Sequence, residues 1–312
     1  INEQWSVGLS HFFDFQSVNY AHNLSMRTVP EAYAPENLVE VQSEIDLEYW
    51  NVSGSASVGV HYTRPNIKVG VVWRVPSYNI VGKAKNYREL TVSNLPFTGL
   101  DSSFSIVDQK SNLQVKEKNF GSIGWGVQWQ MNAKLLINFS QELFIGHKSK
   151  PLYEANGDVQ KYPTSISAAD VDALVGTQHF LAYEPAKSWV LNTGLGIQVK
   201  ATERLDLFFA ARTDFSYKKN EIYDFNEIVM VDGNYDLMHF TFGTSYLNYN
   251  DKRYDIGVEV GTSISGKKSN WANINDPQLN NYLLSAQEKN TKYKIFMLRL
   301  VVGIALDFNK KK

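Results

Sequence analysis

The chain of 312 residues contains no cysteine, which excludes disulfide bonds, thiolate nucleophiles, cysteine-based zinc sites and iron–sulfur clusters. It also lacks an excess of either charge, since 31 Lys and Arg balance 32 Asp and Glu. A surface basic enough to neutralise a phosphate backbone is not indicated, so nucleic acid is not an expected partner. No run approaches the roughly 18 apolar residues that a membrane-spanning helix needs. If the chain crosses a membrane, it does so with strands.

Recognisable catalytic and cofactor motifs are also missing. The six His are scattered without the spacing of a zinc motif, and no nucleophile elbow, phosphate loop or dinucleotide fingerprint occurs. The prediction is therefore a protein without enzymatic activity, metal or cofactor. A hydrolase whose Ser, His and acidic residue come from separate strands stays open, because such a triad is recognised by geometry and not by sequence order.

What the sequence does contain is alternation of apolar and polar residues, together with 43% hydrophobic and 13% aromatic residues. This content is too high for a disordered chain. Alternation with a period of two places side chains on the two faces of a strand. The clearest case is an unbroken apolar face near the end of the chain, made by Phe296, Leu298, Leu300, Val302, Ile304, Leu306 and Phe308.

The alternation predicts twelve mostly long strands. Globular strands average about 5–6 residues, whereas a tilted strand needs about 9–11 to cross a bilayer, so these lengths favour a membrane protein. The predicted strands are 3–13, 17–27, 43–62 with a possible break near Gly54, 67–92 bent at Pro76, 118–130, 134–146, 174–183, 188–200, 204–217, 235–249, 253–266 and 292–308.

Short polar turns are predicted at 63–66, 184–187, 201–203 and 250–252, against long polar connections at 93–117, 147–173, 218–234 and 267–291. Tight periplasmic turns and longer extracellular loops are typical of outer-membrane barrels. Connection 147–173 falls at the end where a tight turn is expected, so one strand near it is predicted to be missed or misplaced. With no repeat or linker, residues 1–312 are expected to form a single barrel domain.

The position of the aromatic residues separates a membrane barrel from a soluble β-sandwich or propeller, which would also alternate. Aromatic residues gather toward predicted strand ends, for example Trp50, Trp73, Trp125 and Trp189, as in the girdles at membrane interfaces. The opposite faces carry charged and small residues, which would make a costly soluble core. The predicted fold class is therefore all-β, a transmembrane antiparallel β-barrel of about 12–14 strands with long extracellular loops.

The candidate functional residues are charged side chains on the predicted lumen faces. They either form paired charges that stiffen a narrow barrel or line a path that selects a ligand. Gly54 and Pro76 are candidates for a defect in the wall, because Gly weakens a strand and Pro removes a ladder hydrogen bond. The lumen-lining candidates are Glu44, Asp46, Glu48, Lys68, Arg74, Arg212, Asp214, Glu259 and Arg299.

Two long loops carry aromatic residues among polar ones and are candidate contact surfaces. Loop 147–173 contains Tyr153 and Tyr162, and loop 267–291 contains Trp271 and Tyr282. Tyr and Trp are frequent at protein interfaces, so the loops either bind envelope proteins or pack against the rim of their own barrel. The chain also ends its last predicted strand with an aromatic residue, Phe308, which suits either an outer-membrane insertion signal or an ordinary strand end.

Three stretches resemble the FadL-like outer-membrane transport proteins. They are INEQWSVGLS at 1–10, the strand, turn and strand at 55–92 that includes IKVGVVWRVPSYNIVGKA, and Leu191–Ser216, which is similar to the late strands of Bacteroidota members. The resemblance implies fourteen antiparallel strands, an N-terminal hatch and diffusion of hydrophobic compounds such as long-chain fatty acids. No Asn-Pro-Ala-like hatch element precedes the first predicted strand, so the hatch is expected to be absent, either because the sequence lacks an N-terminal part or because the chain is a reduced member of the family.

The sequence thus predicts a bacterial outer-membrane barrel that contacts outer-membrane lipid and passes a small hydrophobic ligand. The alternative is a non-transporting accessory subunit of an envelope complex for protein secretion or barrel insertion. The expected missing hatch, the charged lumen and the aromatic loops favour that alternative.

Overall fold

The computed structural model describes residues 3–28, 39–95, 102–116, 120–146, 151–154, 180–183, 188–216, 235–249, 252–264, 266–268 and 291–305. Strands account for most of them. In chain order these are β1 (Trp5–Thr28), β2 (Val39–Arg64), β3 (Ile67–Arg74), β4 (Tyr78–Leu95), β5 (Ser102–Gln114), β6 (Ser122–Asn132), β7 (Leu135–Phe144), β8 (Val190–Thr202), β9 (Leu205–Asp214), β10 (Leu237–Leu247), β11 (Arg253–Ser263), β12 (Gly266–Lys268), β13 (Thr291–Tyr293) and β14 (Phe296–Ala305).

Twelve of these strands form one antiparallel sheet, and β12 pairs with β13 in a small separate hairpin. Neighbouring strands follow one another in the sheet from β14 through β11, β10, β9, β8, β7 and β6 to β3 and β2, with β1 pairing the full length of β2. β3 and β4 lie one after the other along the same side of β2. β6 and β5 continue in the same way along β3 and β4. The twelve strands therefore make ten runs of chain, two of which are interrupted.

The connections alternate between two ends of the sheet. At one end the strands are joined by the short turns 65–66, 133–134, 203–204 and 248–252. At the other end lie the longer connections, including 145–189 between β7 and β8 and 215–236 between β9 and β10. The predicted misplaced strand is 174–183, whose described part, Phe180–Tyr183, contains a turn and no strand. The β7–β8 connection therefore returns to the end from which it left.

The outward face of the sheet carries a broad band of exposed apolar side chains. The runs that cross this band are mostly 10–13 residues long, which matches a tilted strand in a bilayer. Aromatic residues border the band, with Trp5 and Tyr62 in contact at the short-turn end. Members of the band include Leu9, Phe13, Val60, Val71, Trp73, Trp125, Trp129, Leu195, Phe209, Phe242, Ile256, Leu298, Leu300 and Val302.

The inward face has the opposite composition. The register between neighbouring strands shows which residues share the inward face, and many of these residues are glycine. An apolar exterior around an interior of small and polar residues is the arrangement of a transmembrane β-barrel, since lipid contacts the outside. The inward glycines include Gly8, Gly59, Gly70, Gly124, Gly126, Gly194, Gly196, Gly243, Gly257 and Gly261.

Beyond the apolar band, β1, β2, β4 and β5 continue toward the long-connection end as an extension of the wall. There the pattern reverses, because the inward side chains of β2, such as Ile45 and Leu47, are buried, while Glu44 and Glu48 face outward. The buried core of the described molecule lies on this inward face. Water on the outside explains the polar exterior, and chain packed inside explains the apolar interior.

Several predicted elements differ from the observed ones. Predicted strands 3–13 and 17–27 are one strand, β1, and β2 is continuous through Gly54. Strand β5 lies within the predicted loop 93–117. The prediction of about 12–14 antiparallel strands in an all-β fold is confirmed. Leu306 and Phe308 lie outside the described residues. Within the described ranges, no helix has the length and hydropathy of a membrane span.

Candidate ligand channel

Six of the nine predicted lumen residues lie on the inward face: Lys68, Arg74, Arg212, Asp214, Glu259 and Arg299. The prediction is wrong for Glu44, Asp46 and Glu48, which lie on the outward face of the extension. The sequence rule that apolar residues face outward holds only where lipid surrounds the wall. Beyond the bilayer the apolar face packs inward, so the acidic face is in water.

A cavity of about 740 Å³ lies against the inward face and is lined by β1, β2, β3, β6, β7, β8 and β9. Inward side chains at this level are short, so the peptide planes themselves form much of the surface. At Gly59 an added Cβ would meet only an ordinary contact, 3.7 Å from the carbonyl oxygen of Val71. The cavity therefore exists because glycines and serines replace the larger side chains that would fill a small barrel. Its inward lining includes Gly8, Gly59, Gly70, Gly124, Ser140 and Gly194.

A hydrogen-bonded ion pair lies at the edge of this cavity. Arg74 on β3 pairs with the carboxylate of Glu142 on β7, and Ser122 Oγ donates to the same carboxylate over 2.6 Å. The side chains of Arg74 and Glu142 are partly exposed, so their pairing is screened by solvent. The arrangement agrees with the view that inward charges are paired across strands.

A second group of charges surrounds Glu259 on β11. His239 Nδ1 lies 2.8 Å from Glu259 Oε1, Arg212 Nη2 lies 3.3 Å from the same oxygen, and Arg299 Nη1 lies 3.9 Å from Oε2. His239 is buried, and its Nε2 lies 3.7 Å from Asp214. One carboxylate thus joins β9, β10, β11 and β14, which stabilises the inward face and leaves two guanidinium groups partly exposed to the lumen.

The wall is interrupted where β3 gives way to β4, at residues 75–77, which include Pro76. On the neighbouring run, β5 ends at Gln114 and β6 begins at Ser122. Ladder pairing between the two runs stops after Arg74 and Ser122 and resumes at Lys83 and Gln114. A backbone bond from Val115 N–H to Gly82 O, at 3.3 Å, borders the interruption. The interruption therefore adjoins the cavity, whose lining pair Val72 and Gly124 lies three residues away.

Gly54, the other predicted wall defect, does not interrupt its strand. It stays inside the continuous strand β2, and the ring of Tyr78 lies against its Cα. The β2–β4 register shifts between Val52 and Ser53. Gly54 thus admits an aromatic ring beside the interruption, whereas Pro76 lies within it.

The two predicted contact loops have different outcomes. In loop 147–173, Leu152 and Tyr153 fold inward against the extension, so their described part packs on its own barrel. Tyr162 lies outside the described residues, as do Trp271 and Tyr282 of loop 267–291.

The sequence pattern does not identify Glu142, Ser122, His239 or Tyr78 as site residues. Their partners are 20 to 68 residues away, so only the fold brings them together. The inward glycines do leave a signal, because the alternating pairs Gly124 with Gly126 and Gly194 with Gly196 mark a face without side chains.

No protein-family model matches the chain, and no curated protein matches it. Among solved structures, the Ralstonia pickettii toluene transporter TbuX has a TM-score of 0.47 and 11% identity, covering 85% of this chain and 60% of its own. The CymD monoaromatic hydrocarbon channel has a TM-score of 0.46 and 11% identity, covering 85% and 66%. A Pseudomonas aeruginosa FadL homologue has a TM-score of 0.42 and 12% identity, covering 97% and 73%. The chain thus spans about three fifths of the length of TbuX and two thirds of CymD. The assignment of the barrel therefore rests on the strands, their register and their burial.

Proposed function

We propose that the chain is a barrel of the bacterial outer membrane that passes small hydrophobic compounds, long-chain fatty acids among them. The observation that carries the proposal is the glycine-walled cavity of about 740 Å³ next to an interruption of the lipid-facing wall. The apolar outer band, with aromatic residues at its borders, supports a bilayer location.

The cavity suits a compound that leaves the lumen sideways into lipid. A ligand that entered from the long-connection end would reach the inward faces of Gly59, Gly124 and Ser140. From there the interruption at residues 75–77 begins three residues after Val72, which lines the cavity. A sideways path keeps an apolar ligand out of the aqueous periplasm, where its exposure to water is unfavourable.

The alternative is an accessory subunit that transports nothing. The observation in its favour is the group of charges around Glu259, which gives part of the lumen a polar lining that is unusual for a path of apolar molecules. On this view the ion pairs stiffen the wall and the cavity stays empty.

The test is uptake of radiolabelled toluene and oleate by cells that carry the chain in their outer membrane. Gly59→Phe fills the cavity from a position where a Cβ fits, and Val58→Phe places the same side chain one residue away, facing lipid and outside the cavity lining. We expect Gly59→Phe to reduce uptake of at least one probe by fivefold or more and Val58→Phe to leave it unchanged. A heat-modifiable gel shift confirms that both variants are folded.

Uptake that does not exceed that of cells without the chain, for both probes, would support the accessory subunit. Equal uptake by the chain and its Gly59→Phe variant would place the path elsewhere than in the cavity.

A further inference from the structure

We propose that residues 151–154 and 180–183, both from the β7–β8 connection, form an internal plug that closes the long-connection end of the lumen and moves to open it. The proposal depends on the outer-membrane orientation given above but not on any particular ligand. These two segments, the plug, come from a connection that would ordinarily lie on the surface, as most loops do.

The plug is buried as deeply as a protein core. Leu152, Tyr153, Phe180 and Leu181 are each at most 2% exposed. They lie on the inward face of the extension, and Leu152, Tyr153 and Tyr183 belong to one apolar cluster with Ile45, Leu47, Tyr49, Ala84 and Val115. This apolar cluster therefore joins the connection to the barrel wall.

Polar side chains buried in the wall fix the position of the plug. Asn86 on β4 is fully buried, and its amide donates to Tyr153 Oη over 2.6 Å and to the carbonyl of Leu181 over 2.7 Å. Tyr153 Oη itself donates to the carbonyl of Leu181 over 2.9 Å. Asn86 thus binds both parts of the plug at once, although they are 28 residues apart in sequence.

Arg88, two residues along the same strand face, binds the plug a second time. It is fully buried, donates from Nη1 to the carbonyl of Phe180 over 2.8 Å, and lies 4.6 Å from the centroid of the Phe180 ring. A buried guanidinium is costly unless specific partners compensate its lost hydration. The plug supplies such partners, which indicates a defined docked position and not a random collapse of the connection.

Backbone bonds join the two parts of the plug and attach them to the interrupted run. The amide of Leu152 donates to the carbonyl of Tyr183 over 2.9 Å, and the amide of Lys116 donates to the carbonyl of Leu152 over 2.6 Å. Val115 and Tyr153 form an isolated antiparallel bridge. Backbone contacts between the plug and the wall are isolated, whereas neighbouring strands of the wall are joined by continuous ladders, so the plug can leave as a unit while the wall keeps its pairing.

The position of the plug explains why it would close the lumen. The connection that carries the plug leaves β7 after Phe144 and enters β8 at its register partner Val190. Two residues further into the wall, Glu142 and Asn192 line the cavity. The plug then packs on the inward face of the extension, beyond the cavity. A molecule that enters from that end must pass the plug to reach the glycine-walled space.

The test measures access of a water-soluble reagent to the cavity. The chain has no cysteine, so a single Ser140→Cys substitution, the cavity reporter, is free of background, and its labelling by a bulky, membrane-impermeant maleimide on intact cells is quantified by peptide mass. Asn86→Leu removes both amide contacts to the plug, and Asn138→Leu is the matched control on the inward face of β7. A Glu44→Cys substitution on the outward face, the surface reporter, checks that each variant is exposed equally.

We expect Asn86→Leu to accelerate labelling of the cavity reporter at least tenfold, and Asn138→Leu to leave it at the parental rate. In a third variant, Val115→Cys with Tyr153→Cys, the antiparallel bridge brings the two residues to a separation that a disulfide can span. Oxidation of this pair should reduce labelling of the cavity reporter below the parental rate even with Asn86→Leu present, and reduction should restore it. A Val258→Cys with Leu300→Cys pair, joined within the wall away from the cavity, should have no effect.

The proposal is overturned if the cavity reporter in the parent labels as fast as the surface reporter, or if oxidation of the 115–153 pair leaves the rate in Asn86→Leu unchanged. Because labelling reports water access and not ligand uptake, a failure of the plug is distinguishable from a failure of the transport function.

Discussion

The ring of Tyr78 lies over the Cα of Gly54, in the space where a larger residue would place its Cβ. Tyr78 Oη lies 2.9 Å from Nε2 of His11 on β1, and the His11 ring packs edge-on against Phe13 with centroids 4.6 Å apart. Because Gly54 has no side chain, Tyr78, the first residue of β4, can lie over β2 and bind His11 on β1. This contact fixes the start of β4 against β2 and β1.

Gly54→Ala should destabilise the folded barrel by about 1–3 kcal/mol, because the new methyl group displaces the Tyr78 ring in an overpacked site. The midpoint of urea unfolding in detergent micelles, followed by tryptophan fluorescence, measures the change. Gly59→Ala is the control on the same strand, since an added Cβ there has ordinary contacts, and it should change the stability much less. Equal midpoints for the two variants would show that the Tyr78 ring adopts another conformation without loss of stability.

Gly121 and Pro76 lie on the two neighbouring interrupted runs, and we expect Gly121 to be the more sensitive. Gly121 has a positive φ of 81°, and an added Cβ would overlap the carbonyl oxygen of Arg74. Gly121→Ala should therefore cost about 1–2 kcal/mol from the backbone conformation alone, plus the overlap. Pro76→Ala should change stability by about 1 kcal/mol or less. Urea midpoints of the two variants measure the difference, and equal losses would contradict it.

Pro76→Ala should also leave ligand uptake within twofold of the parent. On the neighbouring run the described residues 115–116 and 120–121 lie outside β5 and β6, so a restored N–H at position 76 has no strand partner among them. A large fall in uptake with Pro76→Ala would show that the proline itself keeps the wall open.

Glu259→Ala should destabilise the protein because three cationic or titratable groups lose a shared acceptor: His239, Arg212 and Arg299. Hydrogen bonds to charged groups contribute about 1.5–3 kcal/mol, and the exposure of both Arg side chains places the expected loss near the lower value. Asp255→Ala on the same face of β11 is the control, because its contact with Arg253 is half exposed on both sides and is expected to contribute about 0–1 kcal/mol. Urea midpoints at low and high salt measure both, and a loss with Asp255→Ala as large as that with Glu259→Ala would contradict the difference in burial.

The sequence predicts the membrane-spanning part of the fold well because one physical rule governs it. In β6 to β11 and in β14, lipid outside and small residues inside impose the same period of two on each strand, and the observed bounds lie close to the predicted ones. The predicted strand 174–183, between β7 and β8, is the exception. Phe296 to Ile304 is the clearest example, with each alternate residue exposed to lipid.

The extension is where the prediction fails, and the failure has a physical cause. Alternation gives the two faces of a strand but not which face is inside, and the solvent outside changes from lipid to water along β2. A rule taken from the lipid-facing part therefore puts Glu44, Asp46 and Glu48 inside and Ile45 and Leu47 outside, the reverse of the observed placement.

Strand β5 is missed for another reason, because its inward face carries the buried polar Asp108 next to Ile106 and its outward face carries the apolar Val107, which breaks the alternation. Contacts such as Asn86 with Leu181 join residues 95 positions apart, and no local pattern predicts them.

The corrected placement of the acidic face leads to a prediction about Tyr87, which lies on the same outward face of the extension. Its hydroxyl donates to Glu89 Oε2 over 2.7 Å, and the hydrogen bond to Glu89, with some burial and the nearby charges of Glu89 and Glu44, raises the pKa of Tyr87 to about 12. Glu44 is the register partner of Glu89 on β2, which explains why both carboxylates act on one phenol. Because the pKa of Tyr87 is raised in the folded state, the folded protein holds the phenol proton more tightly than the unfolded chain does.

The stabilisation should therefore be complete below the ordinary phenol pKa near 10 and disappear as the pH rises from 10 to about 12. Absorbance at 295 nm, as the difference between the parent and Tyr87→Phe, should show one tyrosine that ionises near pH 12. Glu89→Gln removes the charged acceptor and should lower that ionisation toward pH 10, whereas Glu48→Gln, on the same face but not among the groups that act on Tyr87, should leave it in place. If the phenol ionises near pH 10 in the parent, Tyr87 does not donate to Glu89, and the outward placement of this acidic face loses its support.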